Sequence, residues 1–177
     1  MTGGRKQLRL AWLVPIGLLA FMTPLVGGAE GVLDLAWDQL LPEDQRAGYT
    51  GAPPPPIHDY LSGGEGGLAA LQPMSFEINP QLDGRDVRLP GFIVPLELDA
   101  TGKVTEFFLV PYFGACIHVP PPPPNQLVYV TADEGLVLDS MYAAYWVTGR
   151  IRTAEKSTRL GAAAYALTAT EIEEYEY

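Results

Sequence analysis

Five consecutive prolines, Pro120–Pro124, constrain the fold of this 177-residue chain more than any other feature of its sequence. Proline lacks a backbone N–H and fixes φ near about −65°, so five successive positions have no donor for a helix or a strand ladder. We expect a stiff polyproline II segment that rises about 3.1 Å per residue, or roughly 15 Å in all. The rest of the chain must fold around this rigid arm.

The only cysteine, Cys116, and one of the two histidines, His118, lie directly before the prolines. In an extended segment, side chains two residues apart point to the same face, with Cα atoms about 6.6 Å apart. A thiolate and an imidazole so placed can share one ion, and we expect Zn²⁺, with Cu(I) as the alternative. A closed zinc site needs four ligands, so a partner protein or carboxylates would complete it. The candidate carboxylates are Asp59, Glu97, Asp99 and Glu106.

An enzyme hypothesis makes Cys116 a nucleophile and His118 its base. Partners two residues apart in a strand seldom reach hydrogen-bond distance, and the partners in Cys-His enzymes come from distant parts of the sequence. The chain also has no Cys-x-x-Cys pair, no Gly-x-Ser-x-Gly elbow and no phosphate-binding loop. We therefore expect no enzymatic activity.

An interaction hypothesis uses the same loop as a docking element for a partner groove, as proline-rich segments do elsewhere. In the alternative, the prolines pack on the domain's own aromatic side chains and only make the loop rigid. The residues of this predicted interaction loop are Tyr112, Phe113, Pro120, Pro121, Pro122, Pro123, Pro124, Asn125 and Gln126.

Short apolar runs separated by turn signals predict a mainly β domain over residues 76–168. Gly91 and Gly149 lie inside two of these runs and predict bulges or barrel corners. About five strands, two of them bent, favour a small antiparallel Greek-key barrel of the OB type, with an SH3-like barrel as the alternative. The expected strands are residues 87–94, 104–110, 127–130, 145–151 and 163–167.

Residues 1–29 are typical of a signal peptide, with Arg5, Lys6 and Arg9 ahead of an apolar run and small residues up to Ala29. We predict export, cleavage after Ala29 and a soluble periplasmic protein, the alternative being an anchor formed by the uncleaved segment.

Three further segments flank the expected barrel. Residues 30–46 predict a short N-terminal helix that docks a Trp-Leu face on the domain. Residues 47–75 are rich in Pro and Gly and predict a linker. Residues 169–177 predict an acidic tail or a short helix.

The formal net charge of −10 excludes some partners and favours others. Nucleic acid requires basic patches, so we expect none to bind. An acidic chain is also repelled by anionic lipid, so we expect weak or no direct binding to membrane surfaces. It attracts cations and basic partners.

The loop closely resembles the signature of the DUF3299 family of uncharacterised exported bacterial proteins, and the resemblance spans roughly residues 37–168. The matching segments are residues 37–42, 83–87, 90–96, 107–126 and 145–149. Members are often encoded beside an ABC transporter in zinc-responsive gene clusters. The resemblance thus implies an extracytoplasmic accessory of a metal-linked ABC transport system, with membrane transporter components or another exported protein as partners. It implies no catalytic residue.

Overall fold

The computed structural model describes Met1 and residues 31–51, 72–116 and 119–176. The expected signal peptide with its cleavage point after Ala29, most of the linker, and His118 lie outside the described residues. In the part of the chain that is described, no helix has the length and apolar character needed to cross a membrane.

The described residues form six strands. They are β1 (Leu33–Asp34), β2 (Asp86–Leu98), β3 (Val104–Val110), β4 (Val128–Leu136), β5 (Ala144–Ser157) and β6 (Ala162–Glu174). The described helices are all short 3-10 turns, at Trp37–Leu40, Glu43–Gly48, Pro80–Leu82 and Pro124–Gln126.

Strands β2 to β6 close into a barrel in the order β2-β3-β4-β6-β5, with β5 returning to β2. All neighbouring pairs are antiparallel except β4 and β6, which run parallel. Numbered along the chain, the barrel strands follow the order first, second, third, fifth, fourth, which is the topology of an OB barrel. The predicted OB-type Greek-key barrel is therefore confirmed, with one parallel pair, and the SH3-like alternative is not what forms.

Both glycines predicted to mark bends lie where two backbones approach closely. In β2, residues up to Phe92 pair with β5 and residues from Phe92 onward pair with β3. Gly91 therefore lies where β2 changes its pairing partner. A Cβ atom at Gly91 would lie 2.7 Å from the carbonyl oxygen of Val110. At Gly149 the pairing of β5 with β6 shifts register. These bends let the two long strands, β2 and β5, each pair with two neighbours in the closed barrel.

The barrel interior holds the main core. Its fully buried members include Val87, Leu89, Phe107, Leu109, Val128, Val130, Val147, Ile151, Tyr165 and Leu167. Most come from alternate positions on the strands, as the period of two requires. The Tyr165 hydroxyl donates to the carbonyl of Leu40 and accepts from the N–H of Asn79, each at 2.7 Å. Tyr165 therefore ties the N-terminal segment to the barrel.

The N-terminal segment docks on the domain, but its form differs from the predicted helix. Strand β1 adds to the edge of β2 in parallel, and the Trp37 indole N–H donates to the Pro90 carbonyl at 2.7 Å. The turns that follow are 3-10 rather than α-helical, since Pro42 limits the first to a single turn.

The predicted tail or helix at residues 169–177 is wrong for residues 169–174, which form the end of β6. β5 is long enough to pair with them as far as Glu174. The charged side chains stand on the solvent face, where Glu173 forms an ion pair with Arg88 at 3.0 Å. Pairing with β5 therefore outweighs the low strand propensity of these acidic residues.

Candidate functional site

The loop between β3 and β4 forms a second, smaller core against the outer face of the barrel. On the barrel side this core contains Val94, Phe108 and Val110. On the loop side it contains Ala115, Cys116 and Leu127, and Ala163 of β6 joins them. We call this cluster the outer core. The signature segment thus covers barrel surface instead of projecting from it.

The prolines are part of this packing. Pro120, Pro121, Pro122 and Pro124 are buried and Pro123 is half-buried. The Gln72 amide donates to the carbonyls of Pro122 and Ala162 at 2.8 and 2.7 Å and accepts from the Ala162 N–H at 2.8 Å. Of the two outcomes expected for the prolines, packing within the domain is the one observed.

Asn125 and Gln126 anchor the end of the proline segment. The Asn125 amide donates to Ser75 Oγ at 3.0 Å and to the Glu77 carbonyl at 2.8 Å. The Gln126 amide donates to the Trp37 carbonyl at 3.0 Å. Both side chains are buried, so these contacts hold residues 75–77 and the N-terminal segment against the loop.

Cys116 is enclosed in the outer core, with 2% of its surface exposed. Burial raises the pKa of its thiol to about 12. Its φ of 63° lies in the left-handed region, which costs a residue other than glycine about 1–2 kcal/mol. Burial, together with the neighbouring Cys116 and Tyr49, also raises the pKa of the Tyr112 hydroxyl to about 12. The thiol is thus protonated at neutral pH, unlike a reactive cysteine.

The described residues do not form the zinc ligand set that the prediction requires. Among them, no three His, Cys, Asp or Glu side chains come together as a metal site would require. His118 falls outside the described part, so its pairing with Cys116 stays a prediction. Zinc binds the thiolate, so it would have to displace the proton of this buried thiol.

We expect the Cys116 thiol to react with a maleimide at pH 7 roughly a hundredfold or more slowly in the folded protein than in denaturant, because the thiolate is scarce. The rate should rise as pH increases toward the folded pKa of about 12. The thiol loses its proton at a lower pH in the unfolded chain than in the folded protein. The free energy of unfolding that this group contributes should therefore decline from about pH 9 upward. Mass spectrometry gives the rate cleanly because the chain has one cysteine. Equal rates in folded and unfolded protein would contradict the enclosed thiol.

An apolar groove lies beside the start of the same loop, and only Phe113 of the predicted residues lines it. We call it the Phe113 groove. Its cavity is about 340 Å³, within the roughly 300–1,000 Å³ of typical ligand sites. The residues around it are Phe92, Ile93, Val94, Val110, Phe113, Gly114, Asp139, Ser140, Met141 and Tyr142.

Large apolar side chains at the mouth of the Phe113 groove are unusually open to solvent. Phe113 is 46% exposed, Met141 48% and Tyr142 78%. The Phe113 ring lies 5.2 Å from that of Tyr142 and 6.0 Å from that of Phe92, measured between centroids. The groove therefore carries a connected apolar rim, which is typical of an interaction surface.

The charge around the Phe113 groove is negative. Asp139 lines it, and no Lys or Arg does so among the described residues. Burial raises the pKa of the nearby Tyr145 hydroxyl, and the carboxylates of Glu174 and Asp139 raise it further. A ligand of this groove would thus gain from a positive charge beside its apolar part.

The sequence did not predict that Met141 and Tyr142 line this groove. The available signal was the mostly apolar composition of residues 137–143 between β4 and β5, where polar turn residues are expected. That signal alone does not reveal that β3 and β5 bring this segment against Phe113.

Comparison with known proteins places this arrangement in a family. A model of DUF3299, described as a protein of unknown function, matches residues 37–174. The crystal structure of a DUF3299 family protein from Pseudomonas aeruginosa PAO1 is similar, with a TM-score of 0.70 and 45% sequence identity over 83% of this chain and 98% of that chain. No curated protein matches the chain.

Proposed function

The chain belongs to the DUF3299 family, and on that premise we propose that it is an exported, non-catalytic binding module that recognises a partner protein through the Phe113 groove. The exposed aromatic rim of Phe113 and Tyr142 beside an open apolar cavity is the observation that carries the proposal. The basic and apolar N-terminal pattern supports a place of action outside the cytoplasm.

The enclosed Cys116 supports a non-catalytic role. A thiol nucleophile must be accessible and deprotonated, whereas this one is buried with a pKa of about 12. The prolines, which could have been a docking arm, are used inside the domain. Recognition thus falls to the aromatic rim.

The chemistry of the Phe113 groove defines the partner. An aromatic or long aliphatic side chain fits a cavity of about 340 Å³ lined by phenylalanine, valine and isoleucine. The carboxylate of Asp139, which lines the groove, favours a lysine or arginine next to that anchor. The proposed partner is therefore a protein segment with a large apolar residue beside a basic one, carried by a membrane transporter component or another exported protein.

Peptide display tests this assignment. Random peptides are selected on the protein purified after expression of the full chain, and in parallel on Phe113→Ala, Tyr142→Ser. We expect enriched peptides that pair an apolar anchor with Lys or Arg, and binding at least tenfold weaker to the double variant, because the rim is removed. Isothermal titration with the enriched peptides measures the difference.

The matched control is Leu98→Ala, which removes another exposed apolar side chain, 58% exposed, outside the groove. It should leave peptide affinity unchanged. Enriched peptides that bind the double variant as tightly as the original protein would overturn the proposal.

The setting we propose for this module is the metal-linked ABC transport system that the family resemblance implies. Its zinc component depends on Cys116 and His118, and zinc would have to displace the thiol proton. Binding should therefore strengthen as pH rises, by about tenfold per unit below the thiol pKa for one released proton. Titration with Zn²⁺ at two pH values, beside Cys116→Ser, His118→Ala, measures this. Zinc binding that the double variant retains would remove the metal from the proposal.

A further inference from the structure

A second groove crosses the outer face of the barrel next to the β5–β6 turn. We call it the Tyr129 groove; its cavity is about 470 Å³. Glu97 of β2 and Glu106 of β3 lie on one side, Tyr129 of β4 forms part of the floor, and Lys156 and Arg159 come from β5 and the turn. Four charged side chains of both signs thus face one cavity.

The position of the Tyr129 groove matches the face that OB barrels use for ligands. That face covers the second and third barrel strands and the loops after the first and fourth, which here are β3, β4 and the turns after β2 and β5. The outer core covers the neighbouring part of this surface with the chain's own loop. The Tyr129 groove lies on this same face and is open to solvent. This is an analogy of fold, so the ligand must be argued from the side chains.

The two carboxylates of the groove lie opposite each other. Glu97 and Glu106 are direct partners in the pairing of β2 with β3, and like charges so placed repel. Glu106 accepts a hydrogen bond from the Tyr129 hydroxyl, and no cation in the described part of the chain forms an ion pair with either glutamate. A ligand ammonium between them would relieve this repulsion.

The two cations of the groove are also without an ion pair among the described residues. Lys156 and Arg159 are exposed, and the ion pairs of the structure involve other arginines. Lys156 Nζ lies 5.6 Å above the centroid of the Tyr129 ring. The pair offers an ammonium and a guanidinium to an anion, for which carboxylate is the simplest match.

Other ligands of OB barrels fit this groove poorly. Nucleic acid phosphates would meet Glu97 and Glu106 in a chain of net charge −10. Stacking of a sugar or base needs a free aromatic face, but Lys156 covers one face of Tyr129 and Phe108 meets the ring edge-to-face at 6.3 Å. A ligand that carries both charges has a complement on each side of the cavity.

We propose that the Tyr129 groove binds a small zwitterion, a short peptide with both ends free, its ammonium held by Glu97 and Glu106 and its carboxylate by Lys156 and Arg159. This site is separate from the Phe113 groove and does not rest on the function proposed above. The floor and rim contributed by Pro95, Leu96 and Leu160 give apolar contact to the middle of the peptide.

The test titrates trialanine into the ¹⁵N-labelled protein, purified after expression of the full chain, and follows amide chemical shifts to about 10 mM peptide. We expect saturable shifts at Leu96, Lys156 and Leu160. N-acetylated trialanine and trialanine amide should each bind about tenfold or more weakly, because each lacks one charge. No saturable shift at the groove with free-ended alanine peptides of two to four residues would overturn the proposal.

Two variants assign the ends of the peptide. In Glu97→Gln, acetylation of the peptide should cost less affinity than in the original protein, since the ammonium has already lost a partner. In Lys156→Gln, Arg159→Gln, amidation should cost less for the corresponding reason. Glu155→Gln, an exposed charge outside the groove, is the control and should change neither. Equal costs in all four proteins would place the peptide elsewhere and reject the assignment.

Discussion

Gly149→Ala should prevent the barrel from closing. A Cβ atom at this position would overlap the carbonyl oxygen of Thr168 and lie 2.9 Å from the Cα of Ala169. Both obstacles are backbone atoms of β6, so neither can turn aside as a flexible side chain could. The strands would have to separate at a register shift of their pairing, and we expect a loss of about 4 kcal/mol or more in the free energy of unfolding. A loss of that size approaches the lower end of the roughly 5–15 kcal/mol that holds a typical domain folded.

Chemical denaturation followed by far-UV circular dichroism measures this loss. The matched control is Gly48→Ala, because a Cβ atom there meets nothing within 4 Å. The control should change the free energy of unfolding by no more than about 0.5 kcal/mol. If both variants unfolded at the same denaturant concentration, the close contact between β5 and β6 would be wrong.

Phe108→Ala should destabilise the protein by about 3–5 kcal/mol, as loss of a buried phenylalanine does. Phe108 is fully buried in the outer core, where it joins β3 to the loop that carries Cys116. The cavity left behind should also loosen the loop. We therefore expect Cys116 to react with a maleimide faster in this variant than in the original protein, under conditions where both are folded.

The control for Phe108→Ala is Phe113→Ala, five positions along the chain and 46% exposed. It should cost about 1 kcal/mol or less and leave the Cys116 reaction rate unchanged, because Phe113 lies outside the outer core. Calorimetric melting and mass spectrometry give the two readouts. A stable Phe108→Ala with an unreactive thiol would show that the loop does not depend on the outer core.

Much of the barrel could be predicted from local signals. The short apolar runs between turn signals predicted the strands, and the glycines at 91 and 149 predicted the bends, because both signals are local. The end of β6 could not be predicted in this way, because Glu171, Glu173 and Glu174 have low strand propensity. They form a strand because β5 is long enough to pair with them.

The candidate site was less predictable. The sequence singled out Cys116 and the five prolines correctly as an unusual segment, but a proline run has no periodicity that distinguishes an exposed arm from a buried one. Its burial depends on the outer face of β2 and β3, which is set by the closed barrel. In the same way, the sequence indicated Glu97 and Glu106 only as candidate zinc ligands. Their placement opposite Lys156 and Arg159 follows from strand order, which no local pattern contains.

The double pairing of β2 has a consequence for the time course of folding. Its first half pairs with residues 144–150, so the earliest barrel strand waits for a partner nearly sixty residues further along. The pairing of β5 with β6 then extends to Glu174. Such distant pairings make folding slow, because the chain loses the conformational entropy of the intervening loop before the contacts that offset this loss can form. During synthesis the barrel therefore cannot close before both β5 and β6 have been made, and until then the strands made first remain without some of their partners.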